Sequence, residues 1–249
     1  MKRTRVKERR FLKPGIFLLT LEVGDLPRPR AGQFAMLRSW PGQDPLLARP
    51  FSIHDQEGSF WSFLIQVRGQ GTKILSQLRA GDEVDLLGPL GKAFPAPQEK
   101  TVYLVAGGMG VAPFYLAAKE LLATKHRCLL LYGARSQKDL VRLSAFKRLG
   151  LPFKVATEDG SRGHAGLVTD LLEKALEQEP AEVWACGPWP MLQAVAKTGR
   201  RFQVPVYLSL EARMACGLGL CLGCAVKRAG EGYLHVCSEG PVVRAEEVF

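Results

Sequence analysis

The sequence predicts a β plus α/β chain in three parts: an antiparallel β-barrel over residues 1–97, a doubly wound parallel sheet with helices over 98–207, and a small cysteine-rich module over 208–249. Three observations predict it. Short apolar runs punctuated by Gly and Pro fill the first part. Strands and helices alternate through the second. Four of the six cysteines crowd into residues 216–237 of the third.

In the first part the strand candidates are GIFLLTLEV from Gly15, GQFAMLRS from Gly32, FSIHD from Phe51, FWSFLIQVR from Phe60 and DEVDLLGPLG from Asp82. Their density suits a small barrel, interrupted by one helical candidate, GTKILSQL, over 71–78. At Thr101 the texture changes: TVYLVAGG is a continuous apolar run ending in glycine, as expected of a strand buried on both faces. Helices are then expected over 113–125, 138–150, 166–178 and 190–202, alternating with strands over 127–135, 152–160, 182–188 and 205–211. From about Ser209 this pattern gives way to glycines and cysteines.

With 249 residues, 47% hydrophobic and 23% charged, the chain is long enough for several packed units and too apolar for disorder. No signal peptide or membrane span fits the basic N-terminus and the short run Ile16 to Leu21, so a cytoplasmic location is expected. The net charge of +10 is scattered and accompanies no zinc-finger, RNP or helix-turn-helix pattern. It argues for phosphate cofactors or an acidic partner rather than nucleic acid.

The cysteines Cys216, Cys221, Cys224 and Cys237 are spaced C-x4-C-x2-C-x12-C. Without an export signal, disulfides are a poor reading and metal ligation a better one. Zinc knuckles present paired C-x2-C units, and only one such pair exists here. The spacing instead resembles the start of a plant-type ferredoxin loop, which wraps a [2Fe–2S] cluster, with a closer fourth cysteine. Zinc and a disulfide loop remain the competing readings. Gly217, Gly219 and Gly223 bring backbone N–H groups toward the sulfurs.

VAGGMGVAP, Val105 to Pro113, places Gly107, Gly108 and Gly110 where a strand turns into a helix, a place suited to a phosphate. ARPFSIHD, Ala48 to Asp55, sets Arg49, Pro50, Phe51 and Ser52 on one barrel strand. Arg49 can pair with a pyrophosphate, while Phe51 and Ser52 can flank an isoalloxazine ring.

Taken with GQGT at Gly69 to Thr72, GPLGKAF at Gly88 to Phe94 and CGP at Cys186 to Pro188, these motifs resemble the ferredoxin-reductase superfamily. With LEARMACGLGLCLGC and VCSEGPVV appended, nearly the whole chain is similar to the electron-transfer subunits of NAD-dependent (class 1B) dihydroorotate dehydrogenases. That resemblance implies FAD contacts at Arg49, Pro50, Phe51 and Ser52, at Leu64, Ile65 and Gln66, and at Gly71 and Thr72. Relatives often carry Arg where Gln66 stands. It implies a [2Fe–2S] cluster on Cys216, Cys221, Cys224 and Cys237, and NAD at Gly107, Gly108, Gly110 and Cys186.

The implied function is electron transfer between NAD+ and the FMN of a dihydroorotate-oxidising catalytic subunit, in a heterotetramer with two of each chain, serving pyrimidine biosynthesis. FAD is the natural converter between a hydride carrier and a one-electron cluster. The same three motifs also serve subunits of sulfhydrogenases, sulfite reductases and NADH-dependent ferredoxin:NADP reductases. A zinc-stabilised binding protein on a reductase fold is the reading from a different class.

Single residues carry weaker expectations. Cys186 lies at the C-terminal edge of the sheet, where open α/β sheets bind ligands, and is the candidate catalytic residue beside the nicotinamide; an inert thiol is the alternative. Cys128 reads as core. His54, His126, His164 and His235 share no ligand spacing and are expected on the surface or in loops. Glu158 and Asp159 could bond the adenosine ribose and favour NAD over NADP.

Overall fold

The computed structural model describes all 249 residues. Strands β1 (Lys2–Lys13), β2 (Ile16–Glu22), β3 (Phe34–Arg38), β4 (Arg49–Glu57), β5 (Phe60–Gln66) and β6 (Glu83–Leu90) close a barrel in the order β1-β2-β5-β4-β3-β6, with helix α1 (Gln70–Leu75) between β5 and β6. β1 is an addition to the sequence reading. Its sequence KRTRVKERRFLK hides the period of two, because the residues turned inward are only Thr4 and Val6. Thr4 satisfies its hydroxyl by donating to the Val84 carbonyl at 2.7 Å.

The second part runs β7 (Thr101–Gly107), a 3-10 turn (Gly108–Val111), α2 (Phe114–Ala123), β8 (Arg127–Ala134), α3 (Leu143–Arg148), β9 (Phe153–Thr157), β10 (His164–Ala165), α4 (Val168–Gln178), β11 (Glu182–Cys186), α5 (Trp189–Phe202) and β12 (Val206–Ser209). β7 is buried at every position, as its unbroken apolar run requires. The helix expected over 138–150 is broken. Ser136 and Asp139 close a separate 3-10 turn by hydrogen bonds of 2.9 and 3.1 Å, and Arg142 stands in the left-handed region at φ 67°. Only Leu143–Arg148 is then α-helical. No helix is long and apolar enough to cross a membrane.

The last residues form the hairpin β13 (Ala225–Lys227) and β14 (Tyr233–His235), followed by β15 (Val242–Arg244). β15 pairs antiparallel with β12, so the sheet order is β10-β9-β8-β7-β11-β12-β15. The C-terminal stretch thus completes the edge of an otherwise parallel sheet.

Barrel and sheet share a core. Phe94, in the connection after β6, stacks on Trp184 of β11 at 4.4 Å between ring centroids, and its N–H donates to Ala31 of the barrel. Lys119 of α2 pairs with Asp55 of β4 at 2.6 Å, and Glu120 accepts from the Ala31 N–H at 3.1 Å. These ties hold the strand that carries Arg49–Ser52 against the first helix of the sheet domain.

Candidate functional site

The strand β4 carries Arg49, Pro50, Phe51 and Ser52 in half-buried positions, facing β3 in the register Leu37–Arg49, Met36–Pro50, Ala35–Phe51 and Phe34–Ser52. Arg49 is gathered toward α1. Its guanidinium lies 5.8 Å from the centroid of the Trp40 ring, and a Cβ added to Gly71 would stand 3.3 Å from Arg49 Nε. Nη1 donates to the Leu47 carbonyl at 2.6 Å. The Thr72 hydroxyl is used within the turn: it accepts from the Arg68 and Gly69 N–H groups at 2.9 and 3.1 Å. A basic side chain over a glycine-faced turn suits a pyrophosphate, with Gly71 contributing closeness of approach.

On β5, Leu64 and Ile65 are buried and Gln66 is half-buried. Ile65 faces the barrel core, leaving its backbone as the part available to a ligand. Arg68 Nε donates to Gln66 Oε1 at 2.9 Å, so a guanidinium stands beside Gln66 even though the strand itself ends in an amide.

The glycine turn after β7 meets the end of β11. A Cβ on Gly110 would fall 2.1 Å from the Cys186 carbonyl oxygen, so only glycine allows these two segments to touch. Gly107 packs against Met191 and Pro188, whereas Gly108, at φ 53°, has open space before it. Of the three glycines, Gly108 is the one whose surroundings leave room for a ligand. Cys186 is fully buried, and burial, followed by the charge of Glu211, pushes its thiol far above the ordinary range. It therefore stays protonated, with Ser209 beside it, and suits a wall rather than a nucleophile.

Glu211 is a residue the sequence reading passes over. Its side chain reaches solvent at the sheet edge, where the protein atoms crowded around the carboxyl strip part of its hydration and raise it against the pull of Arg68. Only the fold brings it to Cys186, 25 positions away in the chain, so no local signal marks it.

The four clustered thiols fall into two pairs. Cys224 and Cys237 are buried with sulfurs 3.2 Å apart, and the Cys221 side chain hydrogen-bonds to Cys216. No group of three or more His, Cys, Asp or Glu gathers closely enough for a single ion. Backbone N–H groups converge on the sulfurs, from Leu218 to Cys216 at 3.4 Å and from Gly219 to Cys237 at 3.1 Å. Gly219 reaches that sulfur from φ 80°. Donation by the Leu218 and Cys221 N–H groups lowers the Cys216 thiol to about 6, while burial raises Cys237 to about 11. Two pairs with N–H donors suit a cluster of two irons, each needing two thiolates.

Cys128 is buried in β8, as read. His54 is a correction: it is wholly buried on β4, because Nδ1 donates to the Ala112 carbonyl at 2.7 Å and Nε2 accepts from Arg142 Nε at 3.0 Å. His164 and His235 are also half-buried on short strands, beside Asp170 and Glu239. Asp159 spends its carboxylate on Ser161, at 2.6 Å to the hydroxyl, while Glu158 stays exposed.

Residues 211–249 match the family described as the iron–sulfur cluster binding domain of dihydroorotate dehydrogenase B, and residues 104–197 match the oxidoreductase NAD-binding domain. The fold is similar to that of an NADH-dependent reduced ferredoxin-NADP oxidoreductase, with a TM-score of 0.87 and 29% identity over 100% of this chain and 90% of that one. It is also similar to a ferredoxin NADP+ reductase from Neisseria gonorrhoeae, with a TM-score of 0.68 and 18% identity over 81% and 91% of the two chains. The electron transfer subunit of dihydroorotate dehydrogenase B (NAD(+)) from Caldanaerobacter subterraneus subsp. tengcongensis is 39% identical over 99% of this chain and 98% of its own. Its counterpart from Geobacillus kaustophilus is 40% identical over 99% and 97%. With such identity over nearly the whole length of both chains, the chain belongs to the family of dihydroorotate dehydrogenase B (NAD(+)) electron transfer subunits.

Proposed function

We propose that this chain carries electrons between an FMN-containing, dihydroorotate-oxidising catalytic subunit and NAD+, through a [2Fe–2S] cluster and FAD, in the synthesis of UMP. The observation that carries this reading is the full-length family likeness joined to two thiol pairs in the segment that matches the iron–sulfur domain. When bound, FAD exchanges a hydride with the nicotinamide and single electrons with the cluster.

The chain's own residues have the remaining tasks. Cys216, Cys221, Cys224 and Cys237 would hold the cluster, and the Leu218 and Gly219 N–H groups stabilise charge on the Cys216 and Cys237 sulfurs. Arg49 pairs with the FAD pyrophosphate near Gly71 and Thr72, Pro50 fixes the strand, and Phe51 and Ser52 flank the ring together with the Leu64–Gln66 backbone. Gly107 and Gly110 shape the nicotinamide turn, Gly108 leaves room in it, and the protonated Cys186 walls the nicotinamide end. The 1–97, 98–207 and 208–249 parts then divide flavin, nicotinamide and cluster among them.

Leu218, Leu220 and Leu222 are 50%, 80% and 57% exposed around the cysteines, an apolar rim suited to a docked protein. That rim supports docking of the catalytic subunit beside the cluster, in an assembly read as two of each chain in the cytoplasm. Alone, the chain passes electrons from NADH to an artificial acceptor and makes no orotate.

A visible spectrum with iron, sulfide, zinc and flavin analysis of the purified chain is the test. Flavin with two irons per chain is expected; a colourless, zinc-containing, flavin-free protein overturns the reading. The 29% likeness to the ferredoxin-NADP oxidoreductase favours a second reading, in which the same cofactors serve another NAD(P)H-linked complex. Co-purification of an FMN-bearing dihydroorotate dehydrogenase subunit decides between them.

A further inference from the structure

A groove of about 420 Å³ lies on the seam between barrel and sheet domain. Arg10 and Lys13 enter it from β1, Arg142, Arg148 and Arg162 from the sheet domain, and Ser144 adds a hydroxyl. None of its 11 lining residues is acidic.

These cations are not neutralised. None of the five belongs to an ion pair of the structure. Asp139 acts on Lys13, and Asp55 on Arg142, only at longer range, and both carboxylates are engaged elsewhere, with Ser136 and Lys119. Lys13 is tethered to the Lys138 and Leu140 carbonyls, which fixes the floor. Arg142 is positioned from the other side: Nε donates to His54, and the guanidinium lies 4.9 Å from the centroid of the Tyr115 ring, leaving its Nη groups without partners. Burial depresses its guanidinium, and Arg10 and Arg148 face it with like charge against the opposing pull of Tyr115 and Asp55. Arg142 also holds a left-handed backbone without being glycine, at φ 67°, a conformation that persists where the surroundings impose it.

We infer that this groove binds a multiply charged phosphate anion of the pyrophosphate type, gripped by Arg10, Arg142 and Arg148. Arginine forks match phosphate oxygens in pairs, and the repulsion within a set of them facing one another is relieved by such an anion. No lining residue is among those assigned to flavin, nicotinamide or cluster. One edge does approach the turn expected to meet the adenosine ribose, since the Gln137 N–H donates to Ser161 Oγ at 2.7 Å.

The test is isothermal titration of the full-length, flavin-loaded chain with inorganic pyrophosphate at constant ionic strength, with and without saturating NAD+. One anion per chain is expected in both cases, with at least tenfold weaker binding in the Arg10→Gln, Arg148→Gln double variant and unchanged NADH oxidation by an artificial acceptor. A nucleoside triphosphate binding more tightly than pyrophosphate identifies the occupant as a nucleotide; equal affinity identifies a free phosphate anion. No binding, equal binding by the double variant, or displacement by NAD+ would each overturn the assignment.

Discussion

A Cβ atom on Gly217 would lie 2.9 Å from Cγ of Met36, so the cysteine loop is pressed onto β3 of the barrel. Met36 is the register partner of Pro50 on β4. One buried side chain and one strand pairing therefore connect the thiol loop to the Arg49–Ser52 stretch. On the proposed assignment of flavin to β4 and of the cluster to the thiol loop, this contact joins the two cofactor seats.

Gly217→Ala should loosen that contact. The residue sits at φ 73°, where an L side chain costs roughly 1–2 kcal/mol, and the methyl must also displace Met36 from a filled core. Iron and sulfide per flavin should fall, and the melting temperature should drop with them. Unchanged iron content and melting temperature would show that the loop does not depend on this seat.

Cys221→Ser should abolish the iron–sulfur absorbance while flavin stays bound. Cys221 is exposed on the loop, apart from the buried pair Cys224 and Cys237 and from the barrel core, so its replacement removes a ligand without opening a cavity. Flavin and iron quantified in the same sample check this. Loss of both together would mean that the cluster loop and the flavin site are not separable.

Arg49→Ala should weaken FAD retention. A hydrogen bond to a charged group contributes about 1.5–3 kcal/mol, so the dissociation constant should rise by roughly ten- to a hundredfold. The Arg49 stem also packs on Gly71, and Arg49→Lys, which keeps charge without the fork, should recover part of the loss. Equal flavin content in all three proteins after gel filtration would remove Arg49 from the pyrophosphate.

The strands of the sheet domain were legible because burial on both faces leaves a continuous apolar run, as in β7, and the cysteine loop was legible because its chemistry dictates its spacing. β1 was not, since a strand whose inward residues are Thr4 and Val6 among cations carries almost no period-two signal. The break before α3 was hidden because nothing in the residue type of Arg142 announces a left-handed backbone. Glu211 and His54 were illegible for a shared reason: their partners, Cys186 for one and Ala112 and Arg142 for the other, are distant in sequence and meet only after the domains pack. β15 likewise depends on an edge that β12 offers only in the folded chain.

His54 should make stability depend on pH in a defined window. Burial first, and then the Arg142 charge, lower its value from an ordinary 6.5 to about 3, so the folded chain refuses a proton that the unfolded chain accepts. Above 6.5 both states are neutral and the group contributes no slope. Between 6.5 and about 3 the unfolded state binds more protons, so stability falls as pH drops, by up to about 1.4 kcal/mol per pH unit, and below about 3 the slope ends. His54→Gln removes the titration while keeping a group able to hydrogen-bond, so the variant should be less stable at neutral pH and lose less on acidification. Urea unfolding of both proteins from pH 4.5 to 7.5 measures the difference; parallel curves would show that His54 is protonated in the folded chain as readily as in the unfolded one.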